Sequence, residues 1–173
     1  MIEDHVITEE NLFRILQKIE NEIGEKEVKS SESEIQAFCE IIDDRNLLYF
    51  NDSIASELGL EGKIIPPGYL MSLTNKFIQD IFIKFGPLLF DKIKGVVHVF
   101  SEVEYLRPLL IGKKYLIKIK FDRPVKKVGR KGTSFNVNFK TSIIDINGIV
   151  HAVDNHYFFF KIRKEGEFKS NES

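Results

Sequence analysis

The chain has 173 residues, of which 43% are hydrophobic and 29% are charged, so it is expected to fold as one globular domain rather than remain disordered. Its formal net charge of -1 gives no general attraction to nucleic acid or to an anionic membrane, and we expect neither as a partner. A single cysteine, Cys39, excludes an internal disulfide and is typical of a reducing compartment, so we expect a cytoplasmic protein. The four histidines are scattered along the sequence and predict no metal site.

Two amphipathic helices are predicted in the first quarter of the chain. The first lies near residues 9–22, begins after the N-cap candidate Thr8, and ends before Gly24. A short strand in the segment EKEVKS follows. The second helix begins at Ser31, which together with Glu34 has the spacing of a capping box. Helical spacing of its apolar residues predicts a buried face formed by Ile35, Phe38, Cys39 and Ile42.

The stretch DDRNLLYFND, residues 43–52, is strongly polar for a connection that follows a helix. A short helix capped by Asn51 or Asp52 is expected after it. The segment PPG at 66–68 cannot continue a helix but can start one. A long helix is therefore predicted from there to the GP pair at 86–87, and its wide apolar face predicts that it is mostly buried.

The second half of the chain has the alternation of antiparallel strands with one buried face. Strands are predicted in residues 93–107, 113–122, 133–144 and 149–163, arranged as a meander, with a hairpin turn at the NG pair at 147–148. An antiparallel sheet covering one apolar helix is an α+β architecture. A sheet wrapped around a long central helix is the hotdog fold, and the absence of an internal repeat predicts a single hotdog unit.

Four segments together resemble one enzyme family. The segments IQAFCEIIDDRNLLYFND, IIPPGYLMSL, EVEYLRPLLIGKKY and DINGIVHA occur in the order seen in the MaoC-like family of (R)-specific enoyl-CoA hydratases and 3-hydroxyacyl dehydratases. The resemblance is to the N-terminal subgroup, which includes the dehydratase part of fatty-acid synthases. It implies an N-terminal helical extension at 1–22, a hotdog domain at 23–165 and a flexible tail at 166–173.

The resemblance also implies a catalytic loop. The hydratase motif Asp-x-Asn-Pro-x-His corresponds here to Asp44, Asn46, Leu47 and Tyr49, so the proline and the histidine are replaced. In the resembling enzymes, the Asp and His hold one water and together move protons in syn hydration of the double bond. A tyrosine, with a reference pKa near 10, is a poor substitute for imidazole in that role. From the residues themselves, Asp44 and Asn46 are equally typical of a turn, and Tyr49 of core packing.

Two further sites follow from the same resemblance. The N–H of Gly68, at the start of the long helix, would hydrogen-bond the thioester carbonyl and stabilise the enolate, although helix initiation alone also explains a glycine there. A basic turn would bind the phosphates of CoA or of an acyl-carrier arm, or it is a solvated hairpin; its residues are Arg123, Lys126, Lys127, Arg130 and Lys131. We expect His98 and His151 to decorate a strand face, whereas His156 is a weaker candidate for approach to the site.

Three functions remain open from the sequence. The first is the substrate-binding subunit of an acyl-thioester hydratase or dehydratase, whose MaoC-like paralogue carries the intact Asp-His pair in a heterodimer. The second is a self-sufficient homodimeric hydratase or a hotdog thioesterase that uses Asp44. The third is a non-catalytic acyl-CoA-binding protein. In each case the ligand is an acyl-CoA or acyl-carrier thioester, and no separate cofactor is expected.

Overall fold

The structure is a computed structural model that describes residues 7–130 and 132–163. The helices are α1 Glu9–Ile23, α2 Glu32–Ile42, α3 Asp52–Glu57 and α4 Leu70–Phe90. The strands are β1 Lys26–Lys29, β2 Ile93–Tyr105, β3 Lys114–Phe121, β4 Val125–Gly129, β5 Gly132–Ile144 and β6 Val150–Ile162. Single turns of 3-10 helix at Leu47–Tyr49 and Pro67–Tyr69 precede α3 and α4.

The six strands form one antiparallel sheet around α4. Their order is β1-β3-β5-β6-β2, and β4 pairs with β5 beside this path. The helix buries eight residues along its length, and the ring of Phe82 contacts aromatic rings of β5 and β6, namely Phe139, Phe158 and Phe160. The predicted α+β architecture, a single hotdog unit with its sheet wrapped around a long helix, is confirmed.

The predicted meander is wrong, although the four long strands themselves are confirmed. Strand β2 does not pair with β3; it pairs with β6, with Val103 opposite Asp154 and Tyr105 opposite Ala152. Alternation of apolar and polar residues tells which face of a strand is buried, but it does not tell which strand lies beside it. The segment 106–113 connects β2, at one edge of the sheet, to β3, which lies near the other edge. The amides of Leu106 and Arg107 in this segment both donate to the His151 carbonyl.

Helix α4 is longer than its sequence predicts. It continues through Pro87 to Phe90 instead of ending at the GP pair. Proline removes one backbone donor, but contacts of the last turn hold the helix together here. The ring of Phe90 stacks on Phe82, and a side chain on Gly86 would come within 3.0 Å of the Phe90 ring, so the glycine makes room for this contact.

Helix α1 packs into the same core as the hotdog unit. Its Leu12, Leu16 and Ile19 are fully buried, and Thr8 caps its first turn as predicted. The Glu20 carboxylate accepts a hydrogen bond from the Phe121 amide at the end of β3, at 3.2 Å. The apolar stripe of α1 therefore covers part of the sheet that would otherwise face solvent.

Shortening the central residue of this stripe tests whether α1 stabilises the whole domain. We expect Leu16→Ala to lower the free energy of unfolding by about 2–5 kcal/mol, because it leaves a cavity in the shared core. Urea unfolding followed by circular dichroism measures the change. The matched control is Gln17→Ala on the exposed side of α1, which should leave the unfolding midpoint almost unchanged. Equal midpoints for the two variants would show that α1 is a dispensable appendage.

Candidate functional site

The loop after α2 is shaped by its own polar side chains. The capping box of Ser31 and Glu34 starts α2 as predicted, and Asp43 ends it in the left-handed conformation, with φ at 51°. Asp44 then accepts a hydrogen bond from the Asn46 amide at 3.1 Å. Asn46 in turn accepts one from the Leu48 amide at 3.1 Å and so caps the 3-10 turn. Both motif residues therefore hold the loop in position.

Tyr49, the residue that the sequence resemblance pairs with the motif histidine, is buried. Burial is the main cause that raises the pKa of the Tyr49 phenol above its ordinary value of 10.0, and the charge of Asp44 raises it further. Burial also raises the pKa of the neighbouring Cys39 thiol. The Tyr49 hydroxyl consequently keeps its proton at neutral pH and cannot serve there as a base.

Gly68 lies in the 3-10 turn that leads into α4. The first amides of a helix lack partners within it, and Gly68 is exposed at this position. The Tyr105 hydroxyl of β2 donates to the Pro67 carbonyl and holds the turn against the sheet. A side chain at Gly68 would lie 3.4 Å from the Phe38 ring, so the turn also packs on α2.

Asp44 and the turn that contains Gly68 lie beside different clefts. Asp44 borders a cleft of about 490 Å³, together with Cys39, Glu40 and Phe50 among others. The turn at Gly68 adjoins another cleft, of about 270 Å³, whose lining includes Pro67 and Tyr105. The two clefts share no lining residue.

The basic segment is a strand and a turn, which differs from the predicted single turn. Residues 125–129 form β4, so the adjacent side chains Lys126 and Lys127 point to opposite faces. Arg123 pairs with Glu10 of α1 at 3.1 Å and lies over the Phe13 ring. Arg130 is exposed, whereas Lys131 lies outside the described residues. Phosphate binding at this segment stays a prediction.

The sequence did not predict a polar network that joins α4, β6 and β2, although His156 was already a weaker candidate. Thr74 of α4 donates to Asp154 Oδ2 of β6 at 2.6 Å, and His156 Nε2 lies 2.8 Å from the same oxygen. Ser101 Oγ of β2 is 2.9 Å from His156 Nδ1, and His98 Nε2 is 3.0 Å from Ser101 Oγ. The sequence carried one signal, because the pattern Asp-x-His at 154–156 on a strand places both side chains on one face.

This network borders an open cleft of about 420 Å³ between α4 and the sheet edge. His98 and His156 are in its wall, and the rest of the lining is Asn75, Ile78, Gln79, Phe82, Ile83 and Phe158. His151, expected to decorate a strand face, is instead buried, and its Nδ1 is 2.9 Å from the Pro108 carbonyl oxygen. Within residues 7–130 and 132–163 no cluster of three potential metal ligands occurs. Over the same residues, no helix is long and apolar enough to cross a membrane.

No protein-family model matches the sequence, and no curated protein sequence matches it. Solved structures do match. The ChsH1-ChsH2 complex from Mycobacterium tuberculosis contains a chain that aligns with a TM-score of 0.64 at 22% identity, covering 88% of this chain and 98% of that one. A chain of the HadBC (3R-hydroxyacyl-ACP dehydratase) complex from the same organism aligns with a TM-score of 0.62 at 14% identity, covering 78% and 90%. The (R)-hydratase from A. caviae aligns with a TM-score of 0.55 at 15% identity, covering 81% and 93%.

The raised pKa of Tyr49 predicts a loss of stability at alkaline pH. A phenol whose pKa is higher in the folded than in the unfolded chain stabilises the fold while it is protonated, below about pH 10, and this contribution is lost as the pH rises through the folded pKa. We expect Tyr49→Phe to lose less stability than the wild type between neutral pH and pH values above 10. Urea unfolding at a series of pH values measures this difference. Identical pH dependence in both proteins would contradict the burial of an un-ionised phenol at this site.

These comparisons confirm the expected resemblance in fold: the chain has the hotdog fold of the MaoC-like dehydratases and (R)-hydratases.

Proposed function

We propose that this chain is the substrate-binding subunit of an acyl-thioester hydratase or dehydratase, and that a paralogous subunit supplies the complete Asp-His pair. The observation that carries the proposal is the loop. Asp44 and Asn46 keep their places through backbone hydrogen bonds, while a buried, protonated Tyr49 occupies the place of the imidazole. Hydration near neutral pH needs a group that both takes and releases a proton, and a phenol that holds its proton at neutral pH is poorly suited to take one.

The thioester end of the substrate belongs at the turn that starts α4. An amide N–H at a helix start, together with the positive end of the helix dipole, favours an oxygen that becomes negative as the enolate forms. Gly68 is exposed and offers such an N–H, and the contact of Tyr105 with Pro67 keeps the turn in place. This chain would thus polarise the carbonyl while the partner moves the protons.

The acyl chain belongs along α4. The 420 Å³ cleft begins at Asn75, about 10 Å from Gly68 along the helix axis at 1.5 Å per residue. Ile78, Phe82 and Phe158 give it apolar walls. A thioester held at Gly68 would therefore lay the distal part of a long acyl chain in this cleft. The thioester, carried on CoA or on a carrier protein, is the substrate, and the chemistry proposed here requires no further cofactor.

The partner subunit belongs at the edge of the sheet formed by β2. Within the described residues, β6 is the only strand with which β2 pairs, and β2 leaves large apolar side chains exposed, including Val97, Val99 and Phe100. A strand of thirteen residues that is unpaired along one edge and exposes apolar side chains is a template for pairing with another chain. Two of the structural neighbours, ChsH1-ChsH2 and HadBC, are complexes. A heterodimer in the cytoplasm is the assembly we propose.

A self-sufficient enzyme is the second candidate. A thioesterase that used Asp44 and Gly68 of one chain would need both at one ligand, whereas Asp44 and the prolines before Gly68 line separate clefts. In a homodimeric hydratase, Asp44 of one copy would have to meet Gly68 of the other, and the assay below distinguishes that case. A non-catalytic acyl-CoA-binding protein would share the thioester turn and the acyl cleft. It differs from our proposal only in lacking a catalytic partner.

Crotonyl-CoA separates these functions. We expect the purified chain to bind crotonyl-CoA in calorimetry but not to hydrate it, as followed by the absorbance of the conjugated thioester. Asp44→Ala should behave like the wild type, because Asp44 lacks its imidazole partner. Addition of a hotdog paralogue with an intact Asp-x-Asn-Pro-x-His motif should start hydration. Hydration by the single chain that Asp44→Ala abolishes would instead establish the self-sufficient enzyme.

A charge on the edge strand tests the assembly. We expect Val99→Lys to prevent association, because Val99 lies on the exposed edge strand β2 and a lysine there opposes edge pairing. The matched control is Val128→Lys, which places the same charge at an exposed position of β4. Analytical ultracentrifugation of each variant with and without the paralogue gives the oligomeric state. Unchanged association of Val99→Lys, or equal loss in both variants, would exclude β2 as the interface.

A further inference from the structure

The network of Thr74, Asp154, His156, Ser101 and His98 depends on an irregularity in β2. Residues three apart on a regular strand point to opposite faces, so His98 and Ser101 would be separated. The register of β2 against β6 shifts between His98 and Phe100, as at a β-bulge, and this shift brings His98 to the side of Ser101. Bulges re-aim side chains in this way, often beside functional sites. The distances then form one continuous chain of polar contacts from inside the core to the cleft.

One arrangement of hydrogens fits every contact of the network. With Asp154 as a carboxylate, the nitrogen 2.8 Å from its Oδ2, His156 Nε2, carries a hydrogen, although the contact is too bent to be a hydrogen bond. In a neutral ring His156 Nδ1 is then a lone-pair acceptor, and the Ser101 hydroxyl donates to it. The Ser101 oxygen therefore accepts from His98 Nε2, which must also carry a hydrogen. The remaining ring nitrogen, His98 Nδ1, is left with a free lone pair.

The inner end of this network is costly to bury. Asp154, His156 and Thr74 are at most 1% exposed, and Asp154 Oδ1 has no hydrogen-bond partner among the described residues. A buried carboxylate that is incompletely hydrogen-bonded destabilises the fold, so its presence calls for an explanation. The Thr74 hydroxyl donates to Asp154 Oδ2 and the His156 ring lies beside the same oxygen, and neither is a permanent cation. With Asp154 as a carboxylate, the hydrogen bonds that lead outward to His98 all take one direction.

The outer end of the network borders the apolar cleft. His98 is exposed and packs against the ring of Phe158, with 4.9 Å between ring centroids, and both residues belong to the cleft wall. Most of that wall is hydrocarbon, so a ligand there is mainly apolar. A lone-pair acceptor in such a wall favours one kind of polar group on the ligand, a hydrogen-bond donor without charge. At His98 a hydroxyl fits this requirement, whereas an ether or ketone oxygen does not. The amides of Asn75 and Gln79 in the same wall carry both donors and acceptors and so do not select between these groups.

We propose that the cleft binds the distal part of a long acyl chain that carries a hydroxyl group, and that this hydroxyl donates a hydrogen bond to His98 Nδ1. The inference rests on the proposed function, since it takes the acyl thioester as the ligand. Ser101 acts as a positioning residue, because it sets the tautomer of His98 and does not line the cleft, and His156 in the cleft wall orients Ser101. The chain thereby selects its substrate by the polarity of the far end of the acyl group, remote from the thioester.

The tautomers provide the first test. At about pH 8, where ordinary imidazole side chains are neutral, nitrogen-15 NMR of the full chain should show His98 and His156 each with hydrogen on Nε2 and none on Nδ1. Ser101→Ala should release His98 into a mixture of tautomers. Ser142→Ala changes a residue of β5, the strand next to β6, that lies outside the network, and it should leave the His98 signals unchanged. Hydrogen on His98 Nδ1 in the wild type would overturn the proposal.

Four CoA thioesters provide the second test, with affinities measured by calorimetry. Butyryl-CoA probes the thioester site, dodecanoyl-CoA adds the chain, and ω-hydroxy- and ω-methoxydodecanoyl-CoA add a donor or an acceptor at its end. We expect dodecanoyl-CoA to bind more tightly than butyryl-CoA, and the hydroxy compound about fivefold more tightly again, as one hydrogen bond provides. The methoxy compound should show no such gain. His98→Leu should remove the gain of the hydroxyl and leave dodecanoyl-CoA binding in place.

The outcomes separate this inference from the proposed function. If none of the four thioesters binds, the proposed function fails, and this inference fails with it. If butyryl-CoA binds but the long chain adds no affinity, the thioester site stands and the cleft is not the acyl site. If the hydroxy and methoxy compounds bind equally, or if His98→Leu keeps the preference for hydroxyl, the role of His98 is wrong while acyl binding stands.

Discussion

Enclosure of α4 by a single sheet is the constraint on which the rest of the structure depends. The helix buries one wide face, which includes Phe77, Ile81 and Phe85, and this face needs cover along the whole length of the helix. The sheet supplies that cover by curving, and it reaches its limit at β2, the last strand of the path. The clefts of about 420 and 270 Å³ beside α4 both lie along this side, where the helix meets β2 or the strand next to it. The position of the candidate site thus follows from where the sheet stops.

The elements of this fold follow from local sequence, whereas their arrangement does not. Period two in the second half and period 3.6 before it predict the long strands and the central helix, and the capping box of Ser31 and Glu34 predicts the start of α2. The pairing of β2 with β6 depends on contacts between residues about fifty positions apart, which no local pattern records. The continuation of α4 past Pro87 has the same origin, since the stacking of Phe90 on Phe82 outweighs a local stop signal.

In the candidate site, too, residues close in sequence were predicted and contacts between distant segments were not. The loop residues Asp44, Asn46 and Tyr49 are close in sequence, so a motif predicts them together, and the structure adds only their hydrogen bonds and burial. The network could not be found in this way. Its contacts join α4 to β6 and β6 to β2, and the placement of His98 depends on a register shift that the sequence of β2 does not reveal. Only Asp154 and His156, two residues apart on β6, could be placed on one face from the sequence pattern.

The two polar groups of this chain differ in how much of their hydrogen-bonding capacity is already used. In the loop, Asp44 and Asn46 accept from backbone amides and so hold the loop in shape, while Tyr49 keeps its proton. In the network, Asp154 Oδ1 has no partner among the described residues but is buried, whereas the contacts that lead outward end at the exposed His98. Backbone hydrogen bonds give the loop its shape, while His98 is the polar group that a ligand in the cleft would meet. We therefore assign the loop to the scaffold and propose that recognition takes place beside the cleft along α4.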